Sequence, residues 1–210
     1  MPGFRAQRAS NDRAIGMSRM APIDIASCWA RIERWLGDNV AEVVKSLPRG
    51  ARPAALARAE KLLQYELPGD LKEYLSIHDG SGGLSLHDDG KFMSVAEILA
   101  AWKNNFGAYG DNTTDEWVRP RGPIRKKRFR RKWLPIVDGN GYYLCLDLDP
   151  PKGGKKGQVI EYLWEQGRGP TRVVAPSFFQ LISKFVKDLE AGKYEVNLNI
   201  AGQFGYLSKD

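Results

Sequence analysis

The stretch from Trp133 to Trp164 constrains the fold of this chain more than any other. It reads WLPIVDGNGYYLCLDLDPPKGGKKGQVIEYLW, with apolar runs at 133–137, 142–148 and 159–164. Two turn signals separate the runs. Asp138-Gly139-Asn140-Gly141 contains Asp-Gly and Asn-Gly, which tolerate the positive φ of a tight hairpin. The segment after Asp149 brings together Pro150, Pro151, Gly153 and Gly154, which no strand interior accommodates. Apolar runs of this length, rich in aromatic and branched residues and joined by turns, predict an antiparallel meander at the centre of the fold.

The flanks read as helices. Ile25, Trp29, Ile32 and Leu36 recur at helical spacing, with Arg31, Glu33 and Arg34 between them, and predict a helix over 25–35 that Gly37 stops. Pro53 suits the first turn of a second helix, lined by Leu56, Ala59 and Leu63 and broken at Leu67-Pro68. A third helix over 70–77 ends at Gly80. Short strands are expected at 84–86 and 92–93. Ser94 with Glu97 forms a capping box ahead of Ile98, Leu99, Trp102 and Phe106. Beyond the meander, residues 171–174 read as a strand. Ser177 with Gln180 then opens a helix whose stripe is Phe178, Leu181, Ile182, Phe185 and Leu189. Leu144, Leu146 and Leu148 share one strand face, expected to lie under that helix. The order predicts an α+β fold: a mainly antiparallel sheet with a central meander, packed by N-terminal helices and a C-terminal helix. One domain is expected over 21–196, between a disordered basic arm at 1–20 and a tail at 197–210.

Charge is unevenly placed. The chain carries +7, but residues 119–132 hold nine bases and no acid, residues 1–20 add +3, and the remainder is −5. The basicity is therefore local, and the body is mildly acidic. Like charges at such density predict that 119–132 is a mobile, exposed loop. It presents Arg125, Lys126, Lys127, Arg128, Arg130 and Arg131 to an acidic partner. Phe129 and Trp133 interleave with these bases as stacking residues do in nucleic-acid binders, so non-specific nucleic-acid contact is the second reading. No recognised nucleic-acid motif surrounds the segment.

No catalytic set is visible. Asp79-Gly80-Ser81-Gly82-Gly83 reads as a turn after a helix and not as a nucleophile loop. His78 and His87 belong to no metal spacing; His78 is expected at a helix C-terminus and His87 in a loop. The glycines and lysines of 151–157 lack the Gly-Lys-Ser/Thr ending of a phosphate loop and join two strands, so a flexible hairpin loop is expected. Asp138, Asp147 and Asp149 could converge at one end of the meander, where a carboxylate pair suits acid–base chemistry, a cation or a partner. Turn capping is the other role open to Asp138 and Asp149. Cys28 and Cys145 sit in apolar runs without partner spacing, which predicts buried free thiols in a reducing compartment. No apolar run nears the ~20 residues of a membrane span, and no secretory signal is present, so a cytoplasmic protein is expected.

Four groups of residues occur in an order that resembles a known family. The first is Cys28-Trp29-Ala30-Arg31-Ile32-Glu33. The second runs from Ala59-Glu60-Lys61-Leu62 through Leu67-Pro68-Gly69-Asp70-Leu71 to Tyr74-Leu75 and His78-Asp79-Gly80. The third is Trp133-Leu134-Pro135-Ile136 with Asp138-Gly139. The last is Cys145 to Pro150 with Gly157-Gln158-Val159, followed by Ser177-Phe178. Over residues 25–194 this resembles the SUKH superfamily, in particular its Smi/Knr-type domain. Trp29, Glu60, Leu67, Pro68, Asp79, Gly80, Trp133, Pro135, Pro150 and Gly157 carry the structural part of the motif. One departure stands out: members often have Gly-Asp entering the central strand, and here Tyr142 follows Gly141.

The resemblance implies a domain without enzymatic activity or cofactor that works through protein contacts. Bacterial members are largely immunity proteins that neutralise toxins, and fungal members resemble regulators of cell-wall assembly. The first expectation is thus an immunity protein whose acidic body docks on a toxin domain. A regulatory interaction module is the alternative. Asp138, Asp147, Asp149 and the six bases named above are the candidate partner-binding residues.

Overall fold

A computed structural model describes residues 24–87, 90–107, 111, 117–165, 167–197 and 206–209. The arm expected at 1–20 lies outside these residues.

The N-terminal half is helical. Helix α1 (Ile25–Ser46) starts at Asp24, whose carboxylate accepts from the Ser27 amide at 2.7 Å. Gly37 does not end it, contrary to the sequence reading. The helix instead bends at Val40 (φ −151, ψ 64), and Val43 continues the buried stripe begun by Ile25, Trp29 and Leu36. A helical glycine costs only about 1 kcal/mol, which continued packing of the same face outweighs. Helices α2 (Pro53–Leu63) and α3 (Gly69–Ile77) follow, with Pro53 in the first turn of α2. Strands β1 (Ser85–His87) and β2 (Gly90–Phe92) precede α4 (Val95–Ala101), which opens on the Ser94–Glu97 capping box and passes into a π-helical turn at Trp102–Gly107.

The meander is present as β3 (Trp133–Gly139), β4 (Tyr142–Asp147) and β5 (Gln158–Leu163), extended by β6 (Gly169–Ala175). Helix α5 (Phe178–Glu190), β7 (Tyr194–Asn197) and β8 (Tyr206–Lys209) complete the fold. The eight strands form one sheet in the order β6-β5-β4-β3-β2-β1-β8-β7. Neighbours are antiparallel except β1 and β8, which run parallel. The architecture is α+β. Strand β8 lies in the segment read as a tail; its partners are over a hundred residues away in β1 and beside it in β7, which a local pattern does not reveal.

Both faces of the meander are buried. On one face Leu134, Leu144, Leu146, Leu148 and Val159 join the helices in the main core, together with Phe178, Leu181, Ile182 and Phe185 of α5. On the other, Trp133, Cys145, Ile160 and Tyr162 form a second core with Phe106 and Ile124. Continuous apolar runs with little alternation are what two buried faces require. Pro135 is accommodated in a central strand because β3 bulges between Pro135 and Val137.

The second core overturns the expectation for the basic segment. Residues 117–132 are not a free loop; they lie across the second face of the sheet. Val118, Ile124 and Arg130 are 1%, 5% and 8% exposed. Arg121 donates its amide to the Thr171 carbonyl at 2.7 Å, which ties the segment to the edge of β6. Charge repulsion is real, but it acts among side-chain ends at the surface, while a few apolar side chains anchor the backbone beneath.

Candidate functional site

The motif residues are committed to the scaffold. Trp29 is buried, with its ring 4.8 Å from that of Tyr74 and 4.6 Å from that of His78. Glu60 accepts the Leu67 amide at 2.9 Å and pairs with Lys72 at 3.0 Å, so one carboxylate holds the α2–α3 corner where Pro68 caps α3. Asp79 accepts the Val95 amide at 2.7 Å. Gly80 has φ +79, and a Cβ there would stand 2.6 Å from the Ser94 nitrogen. Ser81 is 2% exposed and accepts the Phe92 amide at 3.0 Å while donating to the Leu84 carbonyl at 2.6 Å. The Asp79–Gly83 turn is thus a clamp on β2. His78 closes α3, its Nδ1 2.6 Å from the Pro48 carbonyl and its Nε2 2.7 Å from Glu33. The His87 side chain lies outside what the structure describes. Cys28 and Cys145 are buried free thiols, and burial pushes both thiols up, Cys145 well above its ordinary value.

The three candidate aspartates do not converge. Asp138 pairs with Tyr143 near one end of the β3–β4 ladder, and Asp147 pairs with Trp133 at the other. Asp138 lies five residue steps along the strand from Trp133, about 16 Å. Asp138 is half-buried opposite Lys91 of β2, and burial pushes its carboxyl up. Asp147 and Asp149 do lie together: the Asp149 amide donates to Asp147 Oδ1 at 3.2 Å. Asp147 is fully buried, which pushes its carboxyl up against the pull of its hydrogen bonds and of Arg130. A carboxylate with no exposed surface and two protein donors is a structural group.

Asp149 gathers two of the candidate bases. Arg130 Nη2 reaches Oδ2 at 2.5 Å, Arg125 Nη2 reaches Oδ1 at 3.3 Å, and Arg125 Nε also donates to the Asp149 carbonyl at 3.0 Å. Candidates of opposite sign, 19 and 24 residues apart, satisfy one another. The Arg131 carbonyl accepts from Tyr65 and from the Trp102 indole, and Lys132 Nζ sits 4.0 Å above the Tyr65 ring. Lys126 and Arg131 project into solvent, whereas Lys127 and Arg128 are half-buried. Phe129 packs 6.2 Å from Phe106 and 6.1 Å from Tyr162, and Trp133 is fully buried. Of the interleaved aromatics, Trp133 is a core residue and Phe129 packs against the same core, half-buried.

A groove of about 340 Å³ between α5 and the sheet escaped the sequence reading. Leu144, Val174, Leu181 and Phe185 form its apolar wall, and the Glu161–Arg172 and Lys184–Asp188 ion pairs line it. Its one legible sign was Asp188, an acid beside the apolar stripe of α5. Among the described residues no cluster of His, Cys, Asp or Glu could hold a metal ion, and no helix is long and apolar enough to cross a membrane.

The model of the SMI1 / KNR4 family (SUKH-1) matches residues 50–184. The chain is 28% identical over 225 residues to the cell wall biosynthesis/cell cycle regulator smi1 of Schizosaccharomyces pombe, covering 94% of this chain and 44% of that protein. It is 27% identical over 213 residues to a glucan synthesis regulatory protein of Neurospora crassa, covering 82% and 40%. With the cell wall assembly regulator SMI1 of Saccharomyces cerevisiae it shares 22% identity over 208 residues, covering 79% and 40%. The chain therefore spans less than half the length of these curated relatives. All three are named as regulators and none as an enzyme.

Proposed function

The chain belongs to the SMI1 / KNR4 family (SUKH-1), and from that premise we propose that it is a non-enzymatic protein-binding module acting in the regulation of cell-wall assembly. The observation that carries this reading is the similarity to three fungal proteins named for cell-wall or glucan regulation, which extends over most of this chain. The fate of the motif residues supports binding over turnover. Glu60, Asp79, Ser81 and Asp147 are spent on holding corners and strands, and none stands in a cleft with a partner poised for proton transfer. The immunity reading takes second place, because none of these relatives' names points to a toxin.

Deletion of the gene tests the proposal. Cells lacking the protein are expected to become sensitive to agents that perturb wall glucan, with no competing strain present. Wild-type behaviour on such agents, combined with rescue of cells from a toxin encoded beside the gene, would replace this reading with the immunity one.

A further inference from the structure

Two basic stretches that are separate in sequence share one scaffold. Gln158, 2% exposed, donates Nε2 to the Pro123 carbonyl at 2.9 Å and accepts the Lys155 amide on Oε1 at 3.2 Å. A single buried amide thus fastens the basic segment before β3 to the Pro-Gly-Lys loop after β4. The loop itself is held in shape. Gly154 donates to the Pro151 carbonyl at 3.0 Å, Gly157 to the Asp147 carbonyl at 2.8 Å, and Gly153 and Gly157 take φ of +92 and +85. The flexible hairpin loop expected from the sequence is a built turn. A Cβ on Gly154 would lie 3.1 Å from the Pro123 carbonyl oxygen, which shows how closely the two segments run.

Lysines project from this scaffold. Lys152, Lys155 and Lys156 are exposed on the loop, and Lys126 is exposed on the neighbouring segment. None of the four makes an ion pair among the described residues. The carboxylate between the two segments, Asp149, is engaged by Arg125 and Arg130. The result is a set of uncompensated positive charges on a held backbone, over a body that is otherwise mildly acidic.

We infer that Lys126, Lys152, Lys155 and Lys156 form one docking surface for an acidic, Asp/Glu-rich segment of a partner protein. This rests on the protein-binding reading above and names the chemistry of the partner. Charge complementarity selects an anion, and the side chains select among anions. Single-stranded nucleic acid is held on aromatic stacking platforms, and of the two aromatics interleaved with the bases Trp133 is fully buried and Phe129 is half-buried against the second core. The two arginines whose forks could clasp an anion bidentately face inward to Asp149, so this surface acts through the point charges of its lysines. Lysines on long stems are point charges that suit irregularly spaced carboxylates. A held backbone lowers the ordering cost of binding.

Fluorescence anisotropy with the full chain and a labelled peptide of alternating Glu and Asp, at about 0.15 M salt, tests the surface. Combined replacement of Lys126, Lys152, Lys155 and Lys156 by Ser is expected to weaken binding roughly tenfold or more. Combined replacement of Lys45, Lys61, Lys103 and Lys187 by Ser, which removes the same charge elsewhere, is expected to change it by less than about twofold. Equal loss in both variants, no loss in either, or tighter binding of random duplex DNA than of the peptide would overturn the inference. Returning the first variant to the deletion strain separates this inference from its premise. Unchanged peptide binding in a chain that still restores wall resistance overturns the surface alone. A deletion strain with no wall phenotype overturns the premise, whatever the peptide does.

Discussion

Asp147 and Gln158 stand opposite each other on β4 and β5, both buried, with Gln158 Nε2 donating to Asp147 Oδ2 at 3.2 Å. This pair organises the surface of the molecule from inside. Asp147 holds the Asp149 amide, Asp149 holds Arg125 and Arg130, and Gln158 holds Pro123 and Lys155. The second face of the sheet is therefore covered by a segment two of whose charges, Arg125 and Arg130, are tied to a buried polar knot. A buried hydrogen-bonded network fixes one arrangement where an apolar contact would permit several.

Replacing Gln158 with Leu should destabilise the protein by about 1–3 kcal/mol, because it takes a donor from the buried Asp147 carboxylate and from the half-buried Pro123 carbonyl. The pH dependence identifies the cause. Burial already raises the Asp147 carboxyl in the folded state, and loss of a donor raises it further. A raised folded-state value means that the native state binds the proton more tightly, so stability present at low pH is lost as pH rises through that value. The deficit of Gln158→Leu should thus be larger at pH 7 than at about pH 4. Urea unfolding at both values measures it, and an equal deficit would assign the loss to packing.

Asp149→Ala should cost about 1–3 kcal/mol and loosen residues 123–132, since it leaves Arg130, 8% exposed, without its carboxylate. The figure sits below that of a deeply buried pair because the Asp149 side chain is 45% exposed and water can take its place. Arg125→Ala should cost less. Hydrogen exchange at the amides of 123–132 reports the loosening; unchanged protection would mean that the apolar anchors alone hold the segment.

The meander, the α+β class and the Ser94–Glu97 capping box were legible because each is written in neighbouring residues. The covering layer was not. Nine charges in fourteen residues dominate any reading of 119–132. They mask Ile124 and Phe129, two apolar residues spaced too irregularly to signal an element. The acid that neutralises Arg125 and Arg130 lies beyond a strand pair, so no local count anticipates it. Aspartates 138, 147 and 149 share a sequence neighbourhood, yet the hairpin at Gly139–Gly141 sends Asp138 to the far end of the ladder. Strand β8 depends on a pairing with β1, more than a hundred residues away, and the groove under α5 on how that helix packs over β4, β5 and β6.

Leu146→Ala and Ile160→Ala probe the two faces separately. Both side chains are fully buried, Leu146 in the main core and Ile160 in the second. Each substitution should cost ~2–5 kcal/mol in denaturant unfolding. A loss under ~0.5 kcal/mol for Ile160→Ala alone would restore the picture of an uncovered second face.

Gly80→Ala should destabilise by more than ~1 kcal/mol, because φ is +79 and the new methyl would meet the backbone of Phe92, Met93 and Ser94. Gly37→Ala is the control. Nothing lies within 4 Å of a Cβ there, and the helical setting favours Ala, so thermal unfolding should shift upward or stay unchanged.

Asp188 gives the clearest acid-sensitive contact. It is 5% exposed on α5, paired with Lys184 one turn back and with Lys193 at 2.8 Å beyond the helix end. Burial by itself would raise its carboxyl, but the two ammonium groups outweigh burial and bring it down to about 2. The folded state then binds the proton less tightly than the unfolded chain, whose value is near 3.9. The contribution is fully present above pH ~4 and disappears as pH falls through ~2. Both lysines are more than half exposed, so solvent screening limits the gain to roughly 1–2 kcal/mol. Asp188→Asn keeps the shape and removes the charge. It should therefore be less stable than the wild type by that amount at pH 7, with the two unfolding curves converging between pH 4 and pH 2. A gap undiminished at pH 2 would mean that the loss comes from the poorer hydrogen bonding of the Asn amide to Lys184 and Lys193 and not from the charge of Asp188.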